Sequence, residues 1–253
     1  MRRKSRLAAP CLAAAVLLSL AAAWQPLHAS EDTARLDELA REAQRLSWDQ
    51  RFDEALAMYA EVLAADPQHE LARRERAKVL SWAKRYEESA AAFRALLAER
   101  PDDVEARIGL GKVLSWSGDY AAARREYERA LEIAPGHPDA LLGVAQTLAW
   151  SGDLEGARHA YRRAASAATD PTAAQTGIAY LDLWQGAAAD ARRAAESLAA
   201  SHPDSSEVQQ LLRATRDATA PWLAASWDRL DDSDDNVFTT TRLEAGTTLR
   251  SGP

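Results

Sequence analysis

The chain has 253 residues, with 31 Lys and Arg against 38 Asp and Glu, a net charge of −7, one cysteine and eight tryptophans. An acidic chain is a poor partner for nucleic acid, whose phosphates demand a basic footprint, and an anionic membrane surface repels it. As one compact domain it would be long, whereas a solenoid grows by adding units instead of enlarging one core.

The first thirty residues form a distinct segment. Arg2, Arg3, Lys4 and Arg6 give a basic start with no acid among them, and Leu7 to Ala23 is almost wholly apolar. Leu27-His28-Ala29 then offers a small residue before Ser30. That order of charge, apolar run and small-residue exit predicts a secretory signal peptide over residues 1–29. At about 17 residues the apolar run is at the short limit for a retained membrane span. Cys11 stands behind Pro10 inside this segment, a poor setting for lipid attachment. Cleavage after Ala29 leaves 224 residues without a cysteine, which excludes disulfides, thiolate catalysis and Cys-based zinc sites. Four cations and no acid leave with the signal, so the net charge falls to −11.

The next 170 or so residues carry a period. Trp48, Trp82, Trp116, Trp150 and Trp184 are each 34 residues apart. Pro67, Pro101 and Pro135 keep the same step, as do the aromatics Tyr59, Phe93, Tyr127 and Tyr161. Small residues recur at Ala55, Ser89, Ala123, Ala157 and Ala191, and at Ala43, Ala77, Gly111, Ala145 and Ala179. A 34-residue period of small, aromatic and proline positions predicts a helix–turn–helix repeat. Residues 104–137 show why. Asp102 and Asp103 suit a helix N-cap. Ile108, Leu110, Gly111 and Leu114 give the first helix an apolar side, with Gly111 expected to admit a close neighbour. Gly118-Asp119 ends that helix and starts a second, whose Tyr120, Ala123, Tyr127, Ala130 and Leu131 fall at helical spacing. Pro135 closes the unit.

The stretch "LGKVLSWSGDYAAARREYERALEIAP" resembles a tetratricopeptide repeat, and five in-phase copies over residues 36–203 carry the resemblance. It implies an all-α right-handed superhelix of antiparallel helix pairs with a concave groove. The units read as 36–69, 70–103, 104–137, 138–171 and 172–203, within an array spanning 30–203. Two departures stand out. The family's aromatic near the start of the first helix is replaced by Arg73, Arg107, Leu141 and Gln175, and a Leu-Ser/Ala-Trp triplet closes that helix instead. The fifth unit is degenerate, with Asp182 and Ala188 where apolar or aromatic residues are expected. Residues 204–220 read as a capping helix and linker, with Val208, Leu211, Leu212 and Thr215 on one side.

After Ala220-Pro221 the period changes to two. Val237, Thr239, Thr241, Leu243, Ala245, Thr247 and Leu249 alternate with a more polar set, so residues 221–253 read as a β-hairpin. A lone hairpin is marginal in water. Alternating strands with Trp near their ends, behind a signal peptide, suggest the first hairpin of an outer-membrane barrel, and further strands are then expected beyond Pro253. The arrangement is similar to bacterial exopolysaccharide-secretion and biofilm proteins, in which periplasmic repeats precede an outer-membrane porin. That resemblance implies a periplasmic location at the outer membrane, and as partners the proteins of an envelope complex or the polysaccharide itself.

The candidate binding residues lie on the first helix of each unit. Trp48, Trp82, Trp116, Trp150 and Trp184 share a side with Arg74, Lys78, Lys112, Gln146 and Tyr180. In the resembling family that side lines the groove, so one reading makes the five indoles a staircase for stacking on sugar rings or gripping a peptide. Packing of each indole against a neighbouring repeat is the other reading. Lys78 and Lys112 suit an acidic partner tail or an anionic polymer, and equally a solvated face. His69, His137 and His202 sit beside inter-repeat prolines and His159 is alone, so they read as turn residues and not as metal ligands. The acidic run from Asp228 to Asp235 lacks the glycine and terminal glutamate of a calcium loop. With no Gly-x-Ser-x-Gly elbow and no phosphate-cradling glycine loop, neither catalysis nor a cofactor is expected. The function expected is that of a periplasmic scaffold or binding module of an outer-membrane protein; the alternative is a free periplasmic adaptor.

Overall fold

The computed structural model describes residues 32–219, 221–231 and 237–247. The segment 1–29, where a signal peptide is expected, the acidic stretch 232–236 and the tail from 248 lie outside the described residues. Among the described residues eleven helices follow one another: α1 (32–48), α2 (Phe52–Ala65), α3 (Glu70–Trp82), α4 (Tyr86–Glu99), α5 (Val104–Trp116), α6 (Tyr120–Ile133), α7 (Pro138–Trp150), α8 (Leu154–Ala167), α9 (Thr172–Trp184), α10 (Ala188–Ser201) and α11 (Ser206–Thr219). The fold is an all-α repeat solenoid. Beyond it, β1 (Pro221–Asp231) pairs antiparallel with β2 (Val237–Thr247), from Pro221 opposite Thr247 to Asp231 opposite Val237.

One backbone device ends α1, α3, α5, α7 and α9. The second residue after each terminal Trp lies in the left-handed region: Gln50, Lys84, Gly118, Gly152 and Gly186, at φ 60–89°. A paired set of hydrogen bonds accompanies it. Gly118 N donates to Ser115 O at 3.1 Å and Asp119 N to Leu114 O at 2.9 Å, and the other four turns repeat the pattern. This is the Schellman closure, which satisfies the last carbonyls of a helix and reverses the chain. Asp119 and Asp153 then cap the following helices by accepting from Ala122 N and Gly156 N. Arg51 and Arg85 offer no such acceptor and bond Glu54 and Glu88 one turn on instead. Asp103 accepts from Ala106 N at 2.9 Å, as its place before α5 predicts.

The chain forms two compact units that divide at Val113 and Leu114, inside α5. In the first, small residues let the helices close on one another: Ala40 and Ala43 of α1, Ala55 of α2 and Ala72 of α3 are fully buried beside Tyr59, Val62 and Leu80. In the second, Tyr127, Tyr161, Leu181 and Leu211 are the large buried side chains, and α11 shields the last apolar face through Val208, Leu211 and Leu212. Full burial of an apolar side chain of this size contributes about 1.5–3 kcal/mol, so stability is spread along the array.

Close approaches between helices lie at three other glycines of the period. A β-carbon on Gly109 would lie 2.4 Å from Phe93 Cε1, one on Gly143 2.4 Å from Tyr127 Cε1, and one on Gly177 2.3 Å from Tyr161 Cε1. Each of these three aromatics therefore sits over a glycine of the next unit's first helix. At the next step the sizes are exchanged: Ala195 stands in the aromatic's place and Leu211 in the glycine's, both fully buried. Asp182, read as a degenerate apolar position, has a partner too. Arg158 Nη1 lies 2.7 Å from its Oδ1, joining α8 to α9.

Candidate functional site

Each Trp is the last residue of its helix, where the Schellman turn bends the chain away and leaves the indole at an edge. Relative exposures are 67% for Trp48, 39% for Trp82, 45% for Trp116 and 42% for Trp150, whereas Trp184 is half-buried. Among helix residues 32–219, Ile133 is the one other large hydrophobic side chain this exposed. The serine before the Trp is buried and internally bonded, since Ser47 Oγ donates to Gln44 O at 2.7 Å and Ser81 Oγ to Lys78 O at 2.6 Å. It seals the helix end without competing for a ligand.

Two of the indoles also touch the unit before them. Trp150 lies 5.9 Å from Tyr120, the first residue of α6, with the rings tilted by 42°. Trp184 packs in the apolar cluster that contains Leu154, the first residue of α8, and its ring is 6.0 Å from Tyr180. Packing and exposure thus coexist: one part of an indole rests on the preceding helix pair, and the rest faces outward. Gln146 and Tyr180 are half-buried, one turn before Trp150 and Trp184.

The cations of the stripe have partners within the chain. Arg74 Nη2 is 2.9 Å from Asp103 Oδ2 and 3.3 Å from Glu70 Oε1, and Arg100 also reaches Glu70 at 3.0 Å. Burial works to raise the Asp103 carboxyl, but the bonds from Arg74 and Ala106 N outweigh it and hold the group below the usual carboxylate range. Lys78 Nζ donates to Glu75 Oε1 at 2.8 Å, and Lys112 is not without a partner. Sequence reasoning missed Glu75, a carboxylate only 6% exposed, at the position that is glycine in the next three units. The break in that glycine series was its signal. Burial, with Glu75 adding to it, pushes the Tyr59 hydroxyl up; burial pushes that of Tyr127 to about 12.

His69 and His202 are built into the turns at helix ends, whereas His159 lies within α8. His69 caps α3, its Nδ1 accepting from Ala72 N at 3.3 Å, while Nε2 lies 3.1 Å from Asp37 Oδ1. His202 lies within 3.1 Å of Thr172 Oγ1 and 3.0 Å of Ser201 Oγ. Among the described residues no three His, Cys, Asp or Glu side chains gather as metal ligands do, and no helix is long and apolar enough to cross a membrane.

Comparison with known proteins agrees with this architecture. A family model described as tetratricopeptide repeat matches residues 49–108, 83–126 and 116–176, together 49–176, just over half of the chain. No curated protein sequence matches. Among solved structures, the chain is similar to a thermophilic tetratricopeptide-repeat protein of Thermus thermophilus, at TM-score 0.62 and 16% identity, covering 71% of this chain and 98% of that one. It is also similar to a tetratricopeptide-repeat protein of Parabacteroides merdae, at 0.56 and 13%, covering 72% of each. PilF of Pseudomonas aeruginosa matches at 0.53 and 20%, covering 70% of this chain and 81% of its own. At these identities the likeness is one of fold.

Proposed function

The chain belongs to the tetratricopeptide-repeat family, and on that premise we propose that its helical array is the periplasmic interaction module of an outer-membrane exopolysaccharide exporter. Tetratricopeptide repeats are protein–protein interaction scaffolds, typically without catalysis of their own, and this chain is one such scaffold. The observation that carries the reading is an outward indole at the same place in each of four repeats, Trp48, Trp82, Trp116 and Trp150, with exposures of 39–67%. Exposed Trp is costly in water and is the residue type that dominates binding hot spots. The basic-then-apolar start of the sequence supports entry into the periplasm, and the antiparallel pairing of β1 with β2 after α11 supports a junction to a barrel.

Envelope fractionation tests this. Expressed from its own gene in a Gram-negative host, the protein is expected in the outer-membrane fraction, with its repeats protected from external protease in intact cells. Recovery in the soluble periplasmic fraction would instead favour a free adaptor, and recovery in the cytoplasm would defeat both.

A further inference from the structure

The glycine series that accommodates the aromatics has one exception, and it lies beside the stripe. Gly109, Gly143 and Gly177 each lie under a ring, while Glu75 holds the corresponding place in α3. Packing does not require a carboxylate there, since glycine serves at the other three steps. Burying one is unfavourable unless it is paired. Its partner is Lys78, at 2.8 Å, whose side chain remains 43% exposed. Lys78 in turn stands one helical turn before Trp82, on the same side of α3. The neighbouring cation Arg74 is held by Asp103 and Glu70.

The geometry points to Glu75 as the residue that sets ligand charge on the first of the two compact units: by cancelling Lys78 it lets the indoles of Trp48 and Trp82 take an uncharged glycan chain while a polyanion is turned away. This rests on the export reading, from which the class of polymer is taken. The apolar C–H face of a neutral sugar ring stacks on an exposed indole and needs no counter-charge. A polyanion gains from ammonium groups that are free to pair with it, and here the ammonium beside Trp82 already faces a buried carboxylate. The net charge of −7 adds a general repulsion.

Tryptophan fluorescence of the purified full chain, titrated with cellohexaose, maltohexaose, an alginate hexamer and a proline-rich peptide, tests the assignment. Quenching by a neutral hexasaccharide and not by alginate is expected. E75Q keeps the side-chain volume and frees Lys78, so it should raise alginate affinity about tenfold or more, and E75Q/K78Q should lose that gain. E75G, which restores the glycine of the other units, makes the same change should the glutamine variant not fold. W82A should weaken neutral-glycan binding about tenfold with helical circular dichroism retained. Alginate binding to the wild type as tightly as a neutral glycan, an unchanged preference in both Glu75 variants, or quenching by the peptide alone or by no ligand would overturn the inference. A chain found in the outer membrane that binds neither neutral hexasaccharide refutes the glycan assignment alone. A chain absent from that membrane refutes the export reading.

Discussion

The ring of Phe93 occupies the space in which a side chain on Gly109 would stand: a β-carbon there would meet Phe93 Cε1 at 2.4 Å. The pair Ala195 and Leu211 solves the same problem with the sizes exchanged. Phe93→Ala alone should cost about 3–5 kcal/mol through the cavity it leaves. Gly109→Leu alone should cost at least about 1–3 kcal/mol by overpacking. Combined, they imitate Ala195 with Leu211, and the double variant should recover about 1–3 kcal/mol relative to the sum of the two. Urea denaturation of the four proteins measures the coupling, and simple additivity would show that the ring and the glycine are independent.

Lys84 adopts φ 60° where the later units have glycine. A left-handed conformation costs a non-glycine residue about 1–2 kcal/mol, partly offset by the greater flexibility of glycine when unfolded. Lys84→Gly is therefore expected to stabilise the chain by about 0.5–1 kcal/mol, and Gly118→Ala to destabilise it by a similar amount. Thermal melting should shift in opposite directions for the two, and a shift of the same sign would contradict the strain argument.

Trp48 and Trp150 occupy the same place in their helices but not the same surroundings, since Trp150 stacks near Tyr120 and Trp48 is 67% exposed. Trp48→Ala should change stability by less than about 1 kcal/mol. Trp150→Ala should cost more, because it also loses an aromatic pair contributing about 0.5–1.5 kcal/mol beyond its buried area. Equal and large losses in both variants would mean that the indoles serve packing and not presentation.

Asp103 titrates below the usual carboxylate range because Arg74 and Ala106 N bond its charged form against the opposing effect of burial. A lowered folded pKa contributes stability above the unfolded value, near pH 4, and that contribution fades as the pH falls through the folded value. Asp103→Asn should thus be less stable than the parent at pH 7, and the gap should close on acidification below the unfolded value, about pH 4. Stability curves of the two proteins that stay parallel in acid would remove Asp103 from the linkage.

Ala123 is fully buried in α6, at the small-residue position of the period. Ala123→Leu should overpack that contact and cost about 1–3 kcal/mol. An unchanged melting temperature would place the side chain elsewhere.

Much of this was legible in the chain itself because the determinants are local and repeated. A 34-residue recurrence of Trp, small residues, aromatics and proline specifies the helix pairs, and Gly118-Asp119 specifies both a helix end and the next cap, since each depends on hydrogen bonds between residues five or fewer apart. Contacts between units depend instead on how two helices cross, which no local pattern contains. Tertiary packing therefore decided that Phe93 lies over Gly109, that Asp182 answers Arg158, and that Arg74 is held by Asp103, twenty-nine residues away. For the stripe, the sequence by itself placed the indoles on one side of their helices. Only the packed structure showed how much of each indole faces water, and that the Lys78 charge is cancelled from within by a carboxylate buried where glycine would have sufficed.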